Sequence, residues 1–176
     1  MIHLLMKKKR IYLVSLIFII IAIILFLPYK QALVFEYQNT GKVLVFLPLK
    51  SHDTFKMKYT HSIHLTSVVE SYAITKKKEI KQYELMYENF AIGMPSDAGE
   101  GEVFEEKDGK YYIKNMNRIF PSFDLRVGKV RANHTIIYKN KEYPLSKSIT
   151  PGTWIRIHVK RVNMIESLKG VNILEL

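Results

Sequence analysis

The stretch DTFKMKYTHSIHLTSVVESYAIT, residues 53–75, decides the fold. In its first half Phe55, Met57 and Tyr59 fall on one side of an extended chain, and Thr54, Lys56 and Lys58 on the other. In its second half Val68, Glu70, Tyr72 and Ile74 share a phase. A period of two marks β-strands with one buried face. The two halves read as a hairpin in which Tyr59 faces Tyr72 and Met57 faces Ile74. That register brings His61 against Glu70. A carboxylate on an inward face is costly unless it is paired or hydrogen-bonded, and an imidazole would pair it. Two readings follow: a structural pair that holds the register, or a ligand or metal site built from His61, Ser62, His64 and Glu70. A Ser-His-acid arrangement would rest on Ser62 or Ser67, but no nucleophile elbow accompanies it.

Working outward, the same kind of pattern recurs. ALVFEY (32–37) and KVLVFLPL (42–49) are apolar strands joined through Asn39-Thr40-Gly41. VFEEKDGKYYI (103–113) reads as a hairpin turning at Asp108-Gly109. HTIIYKNKEYPL (134–145) reads as another, turning at Asn140. TWIRIHVKRV (153–162) sets Ile155, Ile157 and Val159 opposite Trp154, Arg156, His158 and Lys160. Many short strands separated by turn signals predict a mainly β fold, an antiparallel sandwich or a partly open barrel. One short helix is expected near the end, capped by Asn163 with Glu166 three residues on and terminated at Gly170.

The first thirty residues are different. KKKR (7–10) precedes the apolar run Ile11–Leu27, in which Ser15 alone is clearly polar. As a helix the run spans roughly 25 Å, at the short end of what crosses a bilayer. No small-residue cleavage pattern follows Leu27. The expectation is an uncleaved, single-pass transmembrane anchor over residues 1–30. The basic stub would lie in the cytoplasm and a β-rich domain, 31–176, outside.

Composition narrows the chemistry. The chain has 176 residues, a formal charge of +11 and no cysteine. The last fact excludes disulfides, a thiol nucleophile, zinc–thiolate sites and a lipid anchor on cysteine. An outside domain makes an anionic membrane or wall surface, and not nucleic acid, the partner of the excess charge. The loop GMPSDAGEGE (93–102) gathers Asp97, Glu100 and Glu102, oxygen donors of the kind calcium takes. It lacks EF-hand spacing, so a solvated acidic loop or a partner-contacting loop is the competing reading. Arg118, Arg126 and Arg131 could meet an anion, with solvation the default reading, and Asn133-His134-Thr135 matches a glycosylation sequon, which carries little if the host is bacterial.

YTHSIHLTSVVESY, YELMYENFAIGMPSDAGEGE, DGKYYIKNMNR, VRANHTIIYKNKEYPL and PGTWIRIHV together resemble a family of small bacterial domains of unknown function. Its members are often encoded beside TAXI-type TRAP transporters. The resemblance covers roughly residues 50–160. Its most specific parts are the His61-Ser62 to Glu70 spacing and the turn at Gly93, Met94 and Pro95. It implies a membrane-linked accessory role, with the carrier's membrane subunit or solute receptor as partner, and transfers no catalytic residue. The expected function is therefore a membrane-anchored extracytoplasmic accessory or binding protein. An envelope enzyme or metal-binding protein using His61 and Glu70 is the alternative.

Overall fold

The computed structural model describes residues 2–88, 94–129 and 131–175. A long helix, α1 (Ile2–Phe26), leads into a two-layer β-sandwich. Within α1 the window Lys8–Phe26, 19 residues, is apolar and long enough to cross a membrane, and none of it is buried by the rest of the chain. Nineteen helical residues rise about 28 Å, close to a bilayer's hydrocarbon thickness. A helix of this kind near the N-terminus serves as a membrane anchor or as a signal sequence.

Twelve strands follow among the described residues. They are β1 (Lys30–Tyr37), β2 (Val43–Pro48), β3 (Thr54–Thr60), β4 (Ser67–Ile74), β5 (Ile80–Tyr87), β6 (Val103–Lys107), β7 (Lys110–Phe120), β8 (Ser122–Arg126), β9 (Thr135–Tyr138), β10 (Lys141–Pro144), β11 (Trp154–Val162) and β12 (Val171–Asn172). The smaller sheet runs β12-β2-β1-β11-β8 and the larger β10-β9-β3-β4-β5-β7-β6. All neighbours are antiparallel except β12 and β2. The expected antiparallel sandwich is what the chain forms.

The alternation explains the layers. Leu33, Phe35, Val45, Leu47, Ile155 and Ile157 from the small sheet meet Phe55, Met57, Tyr72, Ile74 and Ile136 from the large one in a shared core. The small sheet also buries Ala32, Val34, Val43, Phe46 and Val162 on its other side. There α2 (Met164–Lys169) lies over it. Asn163 and Glu166 form the anticipated reciprocal cap: Glu166 N–H donates to Asn163 Oδ1, and Asn163 N–H to Glu166 Oε2. A third cluster, Val68, Leu85, Tyr87, Ile113 and Met116, fills one end of the large sheet.

The opening hairpin forms, but in another register. The pairs are Phe55 with Tyr72, Met57 with Glu70 and Tyr59 with Val68. The expected pairing of His61 with Glu70 is thereby overturned. The side chains within the two strands keep their anticipated faces, because a slip by an even number of residues preserves a period of two. The turn decides the register. His61 N–H donates to the Thr66 carbonyl, Leu65 N–H donates to the His61 carbonyl, and Leu65 takes a positive φ of 58°. His61 is the first residue of a six-residue connection, beyond the last ladder pair Thr60–Ser67.

Candidate ligand-binding pocket

Glu70 lies at the centre of the large sheet, opposite Met57 on β3 and Leu85 on β5. Strand alternation turns it toward the space between the sheets, with Tyr72 two residues away on the same face. The Tyr72 hydroxyl donates to Glu70 Oε2 at 2.6 Å, and the Tyr59 hydroxyl donates more weakly to Oε1 at 3.4 Å. Tyr72 is itself fixed by stacking between Phe55 at 5.2 Å and Phe123 of the facing sheet at 5.6 Å. Burial pushes the Glu70 carboxyl above its ordinary value, and the two hydroxyls only partly offset it. Burial and then the Glu70 charge push both phenols upward, so they remain donors.

A cavity of about 300 Å³ opens over this group. Tyr59, Glu70, Tyr72 and Gln82 come from the large sheet, Phe123 and Leu125 from β8, Phe120 from the end of β7, and His134 from the loop before β9. The ring of His134 lies 5.5 Å from that of Tyr59. Its Nδ1 accepts from the Gly128 N–H at 3.0 Å, so the neutral ring carries its proton on Nε2. Burial pushes this imidazole's pKa down, favouring the neutral form. Gly128 is required there, because a Cβ would come within 2.5 Å of the Ala132 Cβ. Asp124 also borders the cavity, but Arg156 holds its carboxylate with two hydrogen bonds of 2.8 and 2.9 Å. Among the described residues no lysine or arginine lines the cavity and Glu70 has no ion pair.

A family model described as Domain of unknown function (DUF1850) matches residues 55–145. The chain belongs to the DUF1850 family. No curated protein and no solved structure matches it. The DUF1850 segment runs from β3 to the end of β10, so it contains Tyr59, Glu70, Tyr72, Gln82, Phe123 and His134. Strands β1, β2 and β11, which build most of the opposing sheet, lie outside it.

The other residues singled out from the sequence are scattered around this DUF1850 core. His61 is half-buried, its Nδ1 has no hydrogen-bond partner among the described residues, and its ring lies 5.8 Å from that of exposed His64. Ser62 is exposed at the turn. Gly93 lies outside the described residues. Met94 packs against the Val68–Tyr87 cluster, and the Pro95 carbonyl accepts from the Tyr87 hydroxyl. Asp97 and Glu100 are exposed, whereas Glu102 is held by Arg118 and by the Gly99 N–H. Among the described residues no three His, Asp or Glu side chains are placed to hold a metal ion. Among the described residues the structure thus joins Glu70 to none of the other candidates.

The residues that share the cavity with Glu70 carried weak signals. Tyr59 and Tyr72 were legible as residues on the same face as Glu70. His134 was visible only as the first residue of a hairpin pattern and as the middle of a sequon. Gln82 belongs to a strand whose alternation is broken by a bulge between Gln82 and Glu84.

Proposed function

We propose that this DUF1850 protein is a membrane-anchored binding module of the bacterial envelope. In this reading it serves a TAXI-type TRAP carrier, and its ligand seats at Glu70. One observation carries the reading: a half-buried carboxyl group, with no cationic partner among the described residues, opens on an aromatic-walled cavity. Such a group is expensive to keep for stability alone, and displaced protonation in a cleft marks functional sites. A small organic ammonium would supply the missing countercharge, and the rings of Tyr72 and Phe123 would favour its positive charge. The Nε2–H of neutral His134 offers a hydrogen bond to the ligand's other end. A volume of about 300 Å³ suits a small molecule.

The apolar helix supports retention at the membrane, and KKKR at its start supports a cytoplasmic N-terminus. One apolar span provides no polar path for a solute, so transport requires another protein. Tethering holds the binding domain at high effective concentration beside that partner. The link to the TRAP carrier rests on the sequence resemblance.

The test is solute uptake by the neighbouring carrier in cells. Deletion of the DUF1850 gene should reduce uptake while carrier abundance is unchanged, and Glu70→Gln at normal protein level should reproduce the loss. Wild-type uptake in the deletion strain would remove the carrier link. Loss on deletion with full activity of Glu70→Gln would remove Glu70 from the function.

A further inference from the structure

We infer that α2 and the C-terminal segment after it rest in the anionic headgroup layer of the bilayer, so that the small sheet stands directly on the membrane. This rests on α1 being a retained anchor. The connection between helix and sheet is almost absent. Leu27 N–H still donates to the Ile23 carbonyl, and Tyr29 N–H already donates to the Val162 carbonyl at the end of β11. Pro28 alone separates the two hydrogen-bonded regions. A single residue spans about 3.5 Å, so the domain cannot stand away from the membrane surface.

What the domain presents at that end suits lipid. The short helix α2 follows Val162 after one residue and contacts α1. It turns Ile165, Glu166 and Lys169 toward the Thr40–Val43 region of the small sheet. Met164 and Leu168, four apart and so on one stripe, remain exposed, at 39% and 74%. Leu174 and Tyr29 are also exposed, at 39% and 58%. Tyrosine is favoured at the membrane–water boundary. Arg161 and Lys169 have no ion pair among the described residues, unlike Lys160, which Glu166 holds at 2.7 Å. Free cations at the same end as exposed apolar side chains are complementary to anionic lipid. Glu175 is the opposing charge at this end, and its carboxylate accepts from the Asn172 side chain.

The chain has no cysteine, so single labels are clean. The full chain carrying Leu168→Cys is labelled with an environment-sensitive fluorophore and reconstituted in vesicles of phosphatidylglycerol and phosphatidylcholine. Asn140→Cys, at the β9–β10 turn, is the aqueous control. The expected result is blue-shifted emission at position 168, quenched by brominated lipid, with neither effect at 140. Water-like emission at 168 in chain that resists alkaline extraction would overturn the headgroup contact and leave the anchor intact. A blue shift without lipid quenching would mean that protein covers the segment, which also overturns it. Release of the chain by alkaline extraction would overturn the anchor and this inference together.

Discussion

Phe35→Ala is expected to destabilise the folded domain by about 3–5 kcal/mol, the cost of deleting a buried aromatic side chain. Phe35 is fully buried. It sits on β1, paired with Val45 on one side and Ile157 on the other, and points into the core shared by both sheets. Hydrogen bonding on both edges prevents β1 from moving in to close the cavity, so the upper part of the range is favoured. For a domain of this size each kcal/mol lowers Tm by about 2–4 °C. Thermal and urea melts of the full chain in detergent measure the effect. A loss below about 1 kcal/mol would mean that Phe35 does not bridge the sheets.

The next largest effect is expected on the opposite face of the same strand. Glu36 is buried, with only 5% exposed. It accepts the Gly41 N–H at 2.7 Å through Oε1 and lies 3.1 Å from His158 Nε2 through Oε2. Burial alone would raise its pKa; the Gly41 N–H, His158 and Lys160 outweigh burial and hold it below the usual carboxylate range. Glu36→Ala should cost about 2–4 kcal/mol, since a hydrogen bond to a charged group contributes about 1.5–3 kcal/mol. The pH dependence has a definite sign. A lowered folded pKa means that this stability is present above the ordinary carboxylate range and is lost as pH falls through the folded value. Melts of wild type and Glu36→Ala should therefore converge in acid. A constant gap between them at every pH would assign the effect to packing.

The residues show why some of this was legible in the sequence and some was not. Faces were readable because period two survives in β3, β4 and β11, so Phe55, Met57, Ile155 and Ile157 were placed inside correctly. Turns were readable where the backbone demands special residues: Asp108, Gly109 and Asn140 all adopt positive φ. The Asn163–Glu166 cap was readable because its two hydrogen bonds are local. The register of the central hairpin was not, since apolar patterning cannot distinguish slips by an even number of residues. Strand β5 was missed because bulges beside Ser71 and between Gln82 and Glu84 break its alternation. His134 reaches the cavity only because the loop from Val127 folds back through Gly128, a tertiary event with no local pattern. The Glu36–His158 pair depends on which side of the small sheet becomes covered, and alternation does not specify that.

The central claim is that Glu70 is a ligand group, and the most direct test is binding of a small organic cation. The full chain in detergent is titrated with benzylammonium and, separately, with benzoate, at about pH 8, above the ordinary glutamate value. Saturable binding of benzylammonium is expected. Glu70→Gln should weaken it by roughly 30-fold or more, because breaking a buried charge pair costs about 2–5 kcal/mol. Binding in the wild type should fade as the pH is lowered and Glu70, flanked by Tyr59, Tyr72 and neutral His134, takes up its proton. Binding of benzoate in place of benzylammonium, or equal binding of benzylammonium by Glu70→Gln, would contradict the account.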